Sequence, residues 1–141
     1  MIYLDSSALL KLIRDEAETA ALSAWLSPQT GIPVVTSELG RVEVLRAARR
    51  AGAEVLTEAR AVIGDLDLVP LDRGVQDLAC DIGDPSLRTL DAPHLASAVL
   101  LRDALTAFVA YDHRLVNAAQ AAGLPITTPT TAEPGPPQPQ E

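Results

Sequence analysis

The chain has 141 residues, of which 48% are hydrophobic, and carries a formal net charge of −8 at pH 7. This length predicts one domain that buries a core without covalent cross-links, and the single cysteine, Cys80, excludes an internal disulfide and favours a reducing compartment. Because no basic start precedes an apolar run and charges interrupt every apolar segment, we expect a cytoplasmic protein without signal peptide or membrane span.

The first half of the chain alternates short apolar runs with helical segments. Residues 2–5 (IYLD) predict a strand, and residues 6–14, which begin with two serines suited to helix capping, predict a helix. A second helix is expected from the acids of residues 15–18 to Pro28. Further elements are expected at residues 34–37 (strand), 38–52 (helix), 54–64 (helix) and 66–71 (strand).

The second half repeats this alternation. Asp72 is expected to cap a helix that ends near Gly83, and residues 88–105 predict a strong helix with Pro93 in its first turn. A strand at 107–112, a helix at 113–123 and a short strand at 125–128 complete the series. From Pro129 to residue 141 the Pro-rich composition cannot form a core, so we expect a disordered tail after a domain at 1–128.

Strands that alternate with helices predict right-handed crossovers and a central parallel sheet. We therefore expect a three-layer α/β/α domain with about four to five short strands. Ligands of such sheets gather at the carboxyl ends of the strands, where Asp5 and Asp112 are both predicted to lie.

Four of the 19 acids have mainly apolar or small neighbours: Asp5, Glu43, Asp91 and Asp112. Each has an ordinary explanation, because Asp5 and Asp112 can cap helices, Asp91 suits a first turn, and Glu43 can pair with Arg46. Crowded carboxylates without cations would repel one another and raise a pKa. A divalent cation removes that penalty, and oxygen-only donors suit Mg²⁺ or Mn²⁺.

Four segments, in this order and spacing, resemble the PIN-domain family and, within it, the VapC-type toxins of bacterial toxin–antitoxin pairs. The resemblance covers residues 1–128 and implies an α/β fold with a parallel sheet and a Mg²⁺- or Mn²⁺-dependent endoribonuclease site. It also implies an RNA substrate, a cognate antitoxin that covers the site, and a toxin homodimer. The segments are MIYLDSSALLKL, TSELGRVEVLRA, LRTLDAPHLASAVLL and FVAYDHRLVNAA.

The resemblance assigns the four acids of the family site to Asp5, Glu43, Asp91 and Asp112. Ser7 matches a hydroxyl that is common two residues after the first acid, and we expect it to hold Asp5 in position. Members of the family often carry another Asp or Asn just after the fourth acid, where this chain has His113, Arg114 and, further on, Asn117. The number of metal ions therefore stays open.

The chemistry expected of such a site is in-line attack of a metal-activated water on an RNA phosphodiester. Asp5 and Asp91 are expected to be the main metal ligands, Asp112 to complete the site, and Glu43 to bind metal or orient water. His94, three residues after Asp91, is expected to pack or support the site rather than act as a general base.

Basic and aromatic residues say less about the partner. Arg46, Arg49 and Arg50, with Arg41, crowd the predicted helix of Glu43 and could contact RNA phosphates, a protein partner or only solvent. Only four aromatic residues exist, which excludes base stacking as the main binding mode. Among the apolar residues of the second helix, Leu22 and Leu26 are expected in the core, while Trp25 is a candidate contact for a partner.

Two other kinds of protein place Mg²⁺ on a parallel sheet. A phosphatase with an aspartyl nucleophile would carry a second Asp two residues after Asp5, where this chain has Ser7. A phosphotransfer receiver would carry a lysine near the late strand ends, but Lys11 is the only lysine. A PIN-like fold kept as a binding module without catalysis stays open as an alternative of a different class.

Overall fold

A computed structural model describes residues 1–131 of the chain, and within them five short parallel strands form one sheet. Their order is β3-β2-β1-β4-β5, so β1 lies at the centre and the chain proceeds outward on both sides of it. The predicted parallel sheet is confirmed. The strands are β1 (Ile2–Leu4), β2 (Val34–Ser37), β3 (Asp67–Val69), β4 (Ala107–Val109) and β5 (Ile126–Thr127).

Seven α-helices connect these strands in the described part of the chain. The helices are α1 (Ser6–Ile13), α2 (Thr19–Leu26), α3 (Glu38–Ala51), α4 (Ala53–Gly64), α5 (Arg73–Asp81), α6 (Asp91–Leu100) and α7 (His113–Ala121). Within residues 1–131, no helix combines the length and the apolar character that crossing a bilayer requires.

The helix predicted at 88–105 is shorter than expected. It begins at Asp91 because Pro93 has no N–H to donate and clashes with a helical carbonyl four residues earlier, so it is tolerated only in the first turn. The helix ends at Leu100, and a 3₁₀ turn at Arg102–Ala104 leads into β4. Of the tail predicted to be disordered, residues 132–141 lie outside the described residues.

Both faces of the sheet are covered by helices, as the predicted three-layer arrangement requires. Because side chains alternate along a strand, Ile2 and Leu4 pack against one apolar cluster with Leu9 and Val44, while Tyr3 points to the other. The second cluster joins Tyr3 to residues that include Leu95, Phe108 and Leu115. In α2, Leu22 is fully buried as expected, and Trp25 packs against the first cluster while remaining partly exposed.

The carboxyl ends of the three central strands are tied together. The N–H of Asp5, just after β1, donates to the carbonyl of Val109 at the end of β4 over 3.1 Å. From β2, the Thr36 hydroxyl donates to the carbonyl of Leu4 over 2.7 Å. Side chains that follow these strand ends therefore share one edge of the sheet.

Candidate active site

Asp5 is the most deeply buried acid at this edge, with 4% of its surface exposed. It caps α1, and its Oδ1 accepts hydrogen bonds from the Ser7 hydroxyl (2.6 Å) and the Ala8 N–H (2.9 Å). Burial raises the pKa of Asp5, the two hydrogen bonds partly oppose this, and the negative charge of Asp91 adds to the rise. Asp5 is thus a helix cap whose charged form is unfavourable without a nearby cation.

Ser7 links Asp5 to the backbone after β4. Its hydroxyl donates to Asp5 and at the same time accepts the backbone N–H of Tyr111 over 3.1 Å. Ser7 therefore fixes the rotamer of Asp5 and ties it to the loop that leads to Asp112.

Glu43 enters the site from the middle of α3. Its Oε1 accepts a hydrogen bond from the Ser6 hydroxyl over 2.7 Å and lies 2.7 Å from Nε2 of His94. Burial alone would raise the pKa of Glu43, but these two hydrogen bonds, together with the nearby charge of Arg88, outweigh it, and the pKa is lowered. Glu43 is therefore anchored by the site, and the alternative pairing with Arg46 is absent from the described ion pairs.

His94 connects Glu43 to the protein interior. Its ring is 2% exposed, and Nδ1 lies 2.7 Å from the hydroxyl of Tyr3, which is itself fully buried. Both hydrogen bonds form when Nε2–H of His94 donates to Glu43 and Nδ1 accepts from the Tyr3 hydroxyl. Burial raises the pKa of Tyr3 far above its usual range, so its hydroxyl keeps the proton that it donates. A ring held at both nitrogens supports Glu43, as expected from the sequence. His113, in contrast, is exposed.

Asp91 and Asp112 are joined by Arg88, a residue that the motifs of the sequence did not indicate. Its Nε lies 2.9 Å from Oδ2 of Asp91, and one terminal nitrogen lies 3.1 Å from Oδ2 of Asp112. The other oxygen of Asp112 caps α7 by accepting the N–H groups of Arg114 (3.0 Å) and Leu115 (3.1 Å). The one sequence feature that points to Arg88 is its spacing of three residues from Asp91, which favours an ion pair on a helix. This spacing gives no indication of the contact with Asp112.

Three of the four acids share one pattern of hydrogen bonding. In Asp5, Glu43 and Asp112, two hydrogen-bond donors converge on a single carboxylate oxygen. Within residues 1–131, the second oxygens of Asp5 and Glu43 accept no hydrogen bond, and that of Asp112 pairs with Arg88. An oxygen that is positioned but not consumed by structural bonds is what a hard cation requires of a protein ligand.

The structure brings the four predicted acids to one edge without closing a cage. Within residues 1–131, no three carboxylate, imidazole or thiol side chains approach closely enough to hold a metal ion. The donor set still fits a divalent cation, because Asp91 and Asp112 direct oxygens at one cationic group and Asp5 is buried without an ion pair in this region. The donors that these four acids offer are all carboxylate oxygens, the type of ligand that Mg²⁺ and Mn²⁺ prefer.

The predicted RNA-contacting arginines occupy exposed positions of α3. Arg46 and Arg49 line a groove of about 370 Å³ together with Arg41 and, from α4, Arg60. Arg50 is also exposed, at the end of α3. None of these arginines forms an ion pair within residues 1–131. Their contact with RNA stays a prediction.

The family model described as PIN domain matches residues 2–121. The chain belongs to the PIN domain family. Ribonuclease VapC47 of Mycobacterium tuberculosis (strain CDC 1551 / Oshkosh) is 46% identical over 132 residues, which cover 92% of this chain and 97% of that protein. The family predicted from the four sequence segments is confirmed.

Solved structures of PIN domain toxins share the fold. VapC20 of Mycobacterium tuberculosis, described as a sarcin–ricin loop cleaving toxin, matches with a TM-score of 0.67 at 18% identity over 84% of this chain and 95% of that one. A chain of a toxin–antitoxin complex from Klebsiella pneumoniae matches with a TM-score of 0.67 at 16% identity over 92% of this chain and 98% of that one. At these identities the match concerns the fold.

Proposed function

We propose that this PIN domain is an endoribonuclease that depends on Mg²⁺ or Mn²⁺ and acts as the toxin of a toxin–antitoxin pair. The relative named ribonuclease VapC47, similar along almost its full length, supports the activity. The observation that carries the metal requirement is the buried Asp5 carboxylate, whose pKa is raised by burial and by Asp91 at the shared edge. A bound divalent cation would stabilise both charges.

Asp5, Asp91 and Asp112 would hold the cation, and Glu43 would lie beside it. When bound, the cation lowers the pKa of an attacking water and offsets charge on the leaving 3′ oxygen of the RNA. Hydrolysis joins the water oxygen to phosphorus and breaks the bond between phosphorus and the 3′ oxygen, which takes up a proton as the water loses one.

The residues around the acids hold these groups in place. Glu43 orients the water through its unused oxygen, since Ser6 and His94 occupy the other one. Ser7 and the Ala8 N–H prevent Asp5 from turning away. Rigid acids favour the reaction because less reorganisation is needed in the transition state.

Cleavage of a structured RNA by the purified chain tests this proposal directly. We expect cleavage with Mg²⁺ or Mn²⁺, none with EDTA, and a loss of at least about 100-fold in Asp5→Asn and Asp91→Asn. Asp103→Asn, in the exposed 3₁₀ turn, makes the same chemical change outside the site and should cleave like the wild type.

Two outcomes would contradict the proposal. Equal cleavage by wild type and both site variants would place the activity elsewhere or in a contaminant. RNA binding without cleavage in any divalent cation would instead favour the binding-module alternative.

A cognate antitoxin and a toxin homodimer are part of the same proposal. The Klebsiella pneumoniae complex, described as toxin and antitoxin, is built on this fold and supports a partner of that class. Co-expression with a candidate antitoxin should yield a complex in size-exclusion chromatography that no longer cleaves RNA. Trp25, the only tryptophan, lies partly exposed on α2, so its fluorescence can report contact with the partner.

A further inference from the structure

We propose that Arg88 is the residue that a divalent cation displaces from Asp91 and Asp112, and that the released guanidinium then binds a phosphate of the RNA. This inference rests on the proposed nuclease function and adds a positioning residue to it.

The first support is that Arg88 pairs with both acids. Its side chain joins Asp91, the first residue of α6, to Asp112, the cap of α7, over 2.9 and 3.1 Å. Each ion pair uses the Oδ2 atom of its aspartate. The guanidinium therefore occupies the same carboxylate oxygens that a metal ion would need, and the two cations compete.

The second support is that the side chain can leave without disturbing the fold. Its exposed fraction is 53%, and within residues 1–131 its side chain makes polar contacts with these two acids alone. The backbone of Arg88, in contrast, is fixed, because its carbonyl accepts the N–H groups of Asp91 (3.0 Å) and Ala92 (3.2 Å). The guanidinium can swing on its flexible stem while the start of α6 stays where it is.

The third support is that Asp112 remains positioned when Arg88 leaves. Asp112 keeps its two capping hydrogen bonds through Oδ1, and only its Oδ2 changes partner. A released guanidinium beside the site can donate to a phosphate in the paired geometry that arginine favours. When the Arg88 guanidinium is released, it therefore exchanges its carboxylate partners for a phosphate of the substrate.

Manganese affinity of the full chain measures the competition without any catalytic step. Mn²⁺ binding, followed by electron paramagnetic resonance, should be about fivefold tighter in Arg88→Gln than in wild type. Partly exposed ion pairs change an equilibrium constant by at most about that factor, and Mn²⁺ must break them in the wild type. Arg88→Lys keeps a charge but presents a single point donor, so we expect an intermediate affinity. Arg73→Gln, an exposed arginine of α5, controls for net charge and should shift affinity less than about twofold.

Cleavage kinetics supply the second, opposite readout. We expect the KM for RNA to rise several-fold in Arg88→Gln although metal binds more tightly, because the phosphate contact is lost. If Arg88 merely held the acids in place, its removal would weaken metal binding and RNA binding together. Urea unfolding in EDTA checks that each variant is folded before either measurement.

The outcomes separate the two proposals. Wild type that binds Mn²⁺ and cleaves RNA, with Arg88→Gln equal or weaker in Mn²⁺ affinity, overturns the role of Arg88 and leaves the nuclease proposal standing. Wild type that neither binds Mn²⁺ nor cleaves RNA overturns the nuclease proposal and the inference with it.

Discussion

Nε2 of His94 lies 2.7 Å from Oε1 of Glu43, although 51 residues separate them in sequence. The other ring nitrogen lies 2.7 Å from the hydroxyl of Tyr3, so a chain of hydrogen bonds links the centre of β1 to an acid of the site. Buried polar chains of this kind are stable only when each member has a partner. The three side chains therefore act as one unit that fixes Glu43.

Tyr3→Phe tests this unit by removing one hydroxyl from the core. We expect a loss of about 1–3 kcal/mol in the free energy of unfolding, because Nδ1 of the buried His94 is left without a partner. Tyr111→Phe is the matched control, since its hydroxyl bonds the Pro129 carbonyl in a less buried place and should cost less. Urea unfolding at pH 7 measures both. Equal losses of unfolding free energy in the two variants would show that the contact between Tyr3 and His94 stabilises the fold no more than an ordinary partly buried hydrogen bond.

Asp5→Asn is expected to stabilise the metal-free protein at pH 7. Because burial raises the pKa of Asp5, the folded state binds its proton more tightly than the unfolded state does. The stabilisation from protonated Asp5 is therefore complete below the ordinary value of 3.8 and is lost as the pH rises through the raised pKa. Asparagine keeps an oxygen for Ser7 and Ala8 and avoids this loss.

The measurement is urea unfolding in EDTA across a range of pH. The advantage of Asp5→Asn over wild type should be largest at neutral pH and shrink as the pH falls toward 3.8. Asp72→Asn replaces an exposed capping aspartate of α5, whose Oδ1 accepts the Val75 N–H over 3.0 Å, and should bring no comparable gain. A destabilised Asp5→Asn at pH 7 would contradict this account. With Mg²⁺ added, wild type should gain stability and the variant should not.

Gly40→Ala is expected to disturb the site through packing alone. A Cβ at this position of α3 would lie 2.6 Å from Oγ1 of Thr36 and 3.1 Å from the His94 ring, so the helix or these side chains must shift. The Thr36 hydroxyl cannot move freely because it donates to the Leu4 carbonyl. We expect a cost of about 1–3 kcal/mol in unfolding free energy, and reduced cleavage, because Glu43 lies on the same helix.

Gly64→Ala supplies the control at the end of α4, where a Cβ would meet nothing within 4 Å. Alanine favours helix by up to about 1 kcal/mol over glycine, so Gly64→Ala should be neutral or stabilising. If the two variants behaved alike in thermal unfolding, the close approach of α3 to His94 would be unimportant.

A feature of the fold or of the site could be predicted from the sequence when its signal lies in neighbouring residues of the chain. Asp5 and Asp112 were predictable because each ends an apolar strand, and parallel topology sends such ends to one edge. The C-terminal end of α6 was not, because residues 94–105 contain no helix-breaking residue, and only the turn before β4 ends the helix. The positions of the acids were thus readable from the sequence, but their partners were not.

Arg88 shows why those partners escape sequence reasoning. An arginine three residues before Asp91 suggests an ordinary local ion pair, and nothing nearby points to Asp112 on another helix. The contact of His94 with Tyr3 and Glu43 likewise joins residues from three different elements. Contacts of this kind depend on how α3, α6 and β1 pack, which no spacing in the chain reports.

Replacing Arg46 and Arg49 together by glutamine tests the predicted RNA-contacting face of α3. If these side chains bind phosphates, the affinity for RNA should fall at low salt, and the dependence of log K on log salt should lose about 0.7 per contact removed for single-stranded RNA. Arg73→Gln, exposed on α5, serves as the charge control. Because neither Arg46 nor Arg49 forms an ion pair with the four acids within residues 1–131, kcat should stay near the wild-type value while KM rises. Unchanged RNA binding combined with weaker binding of the antitoxin would assign this basic face to the protein partner instead.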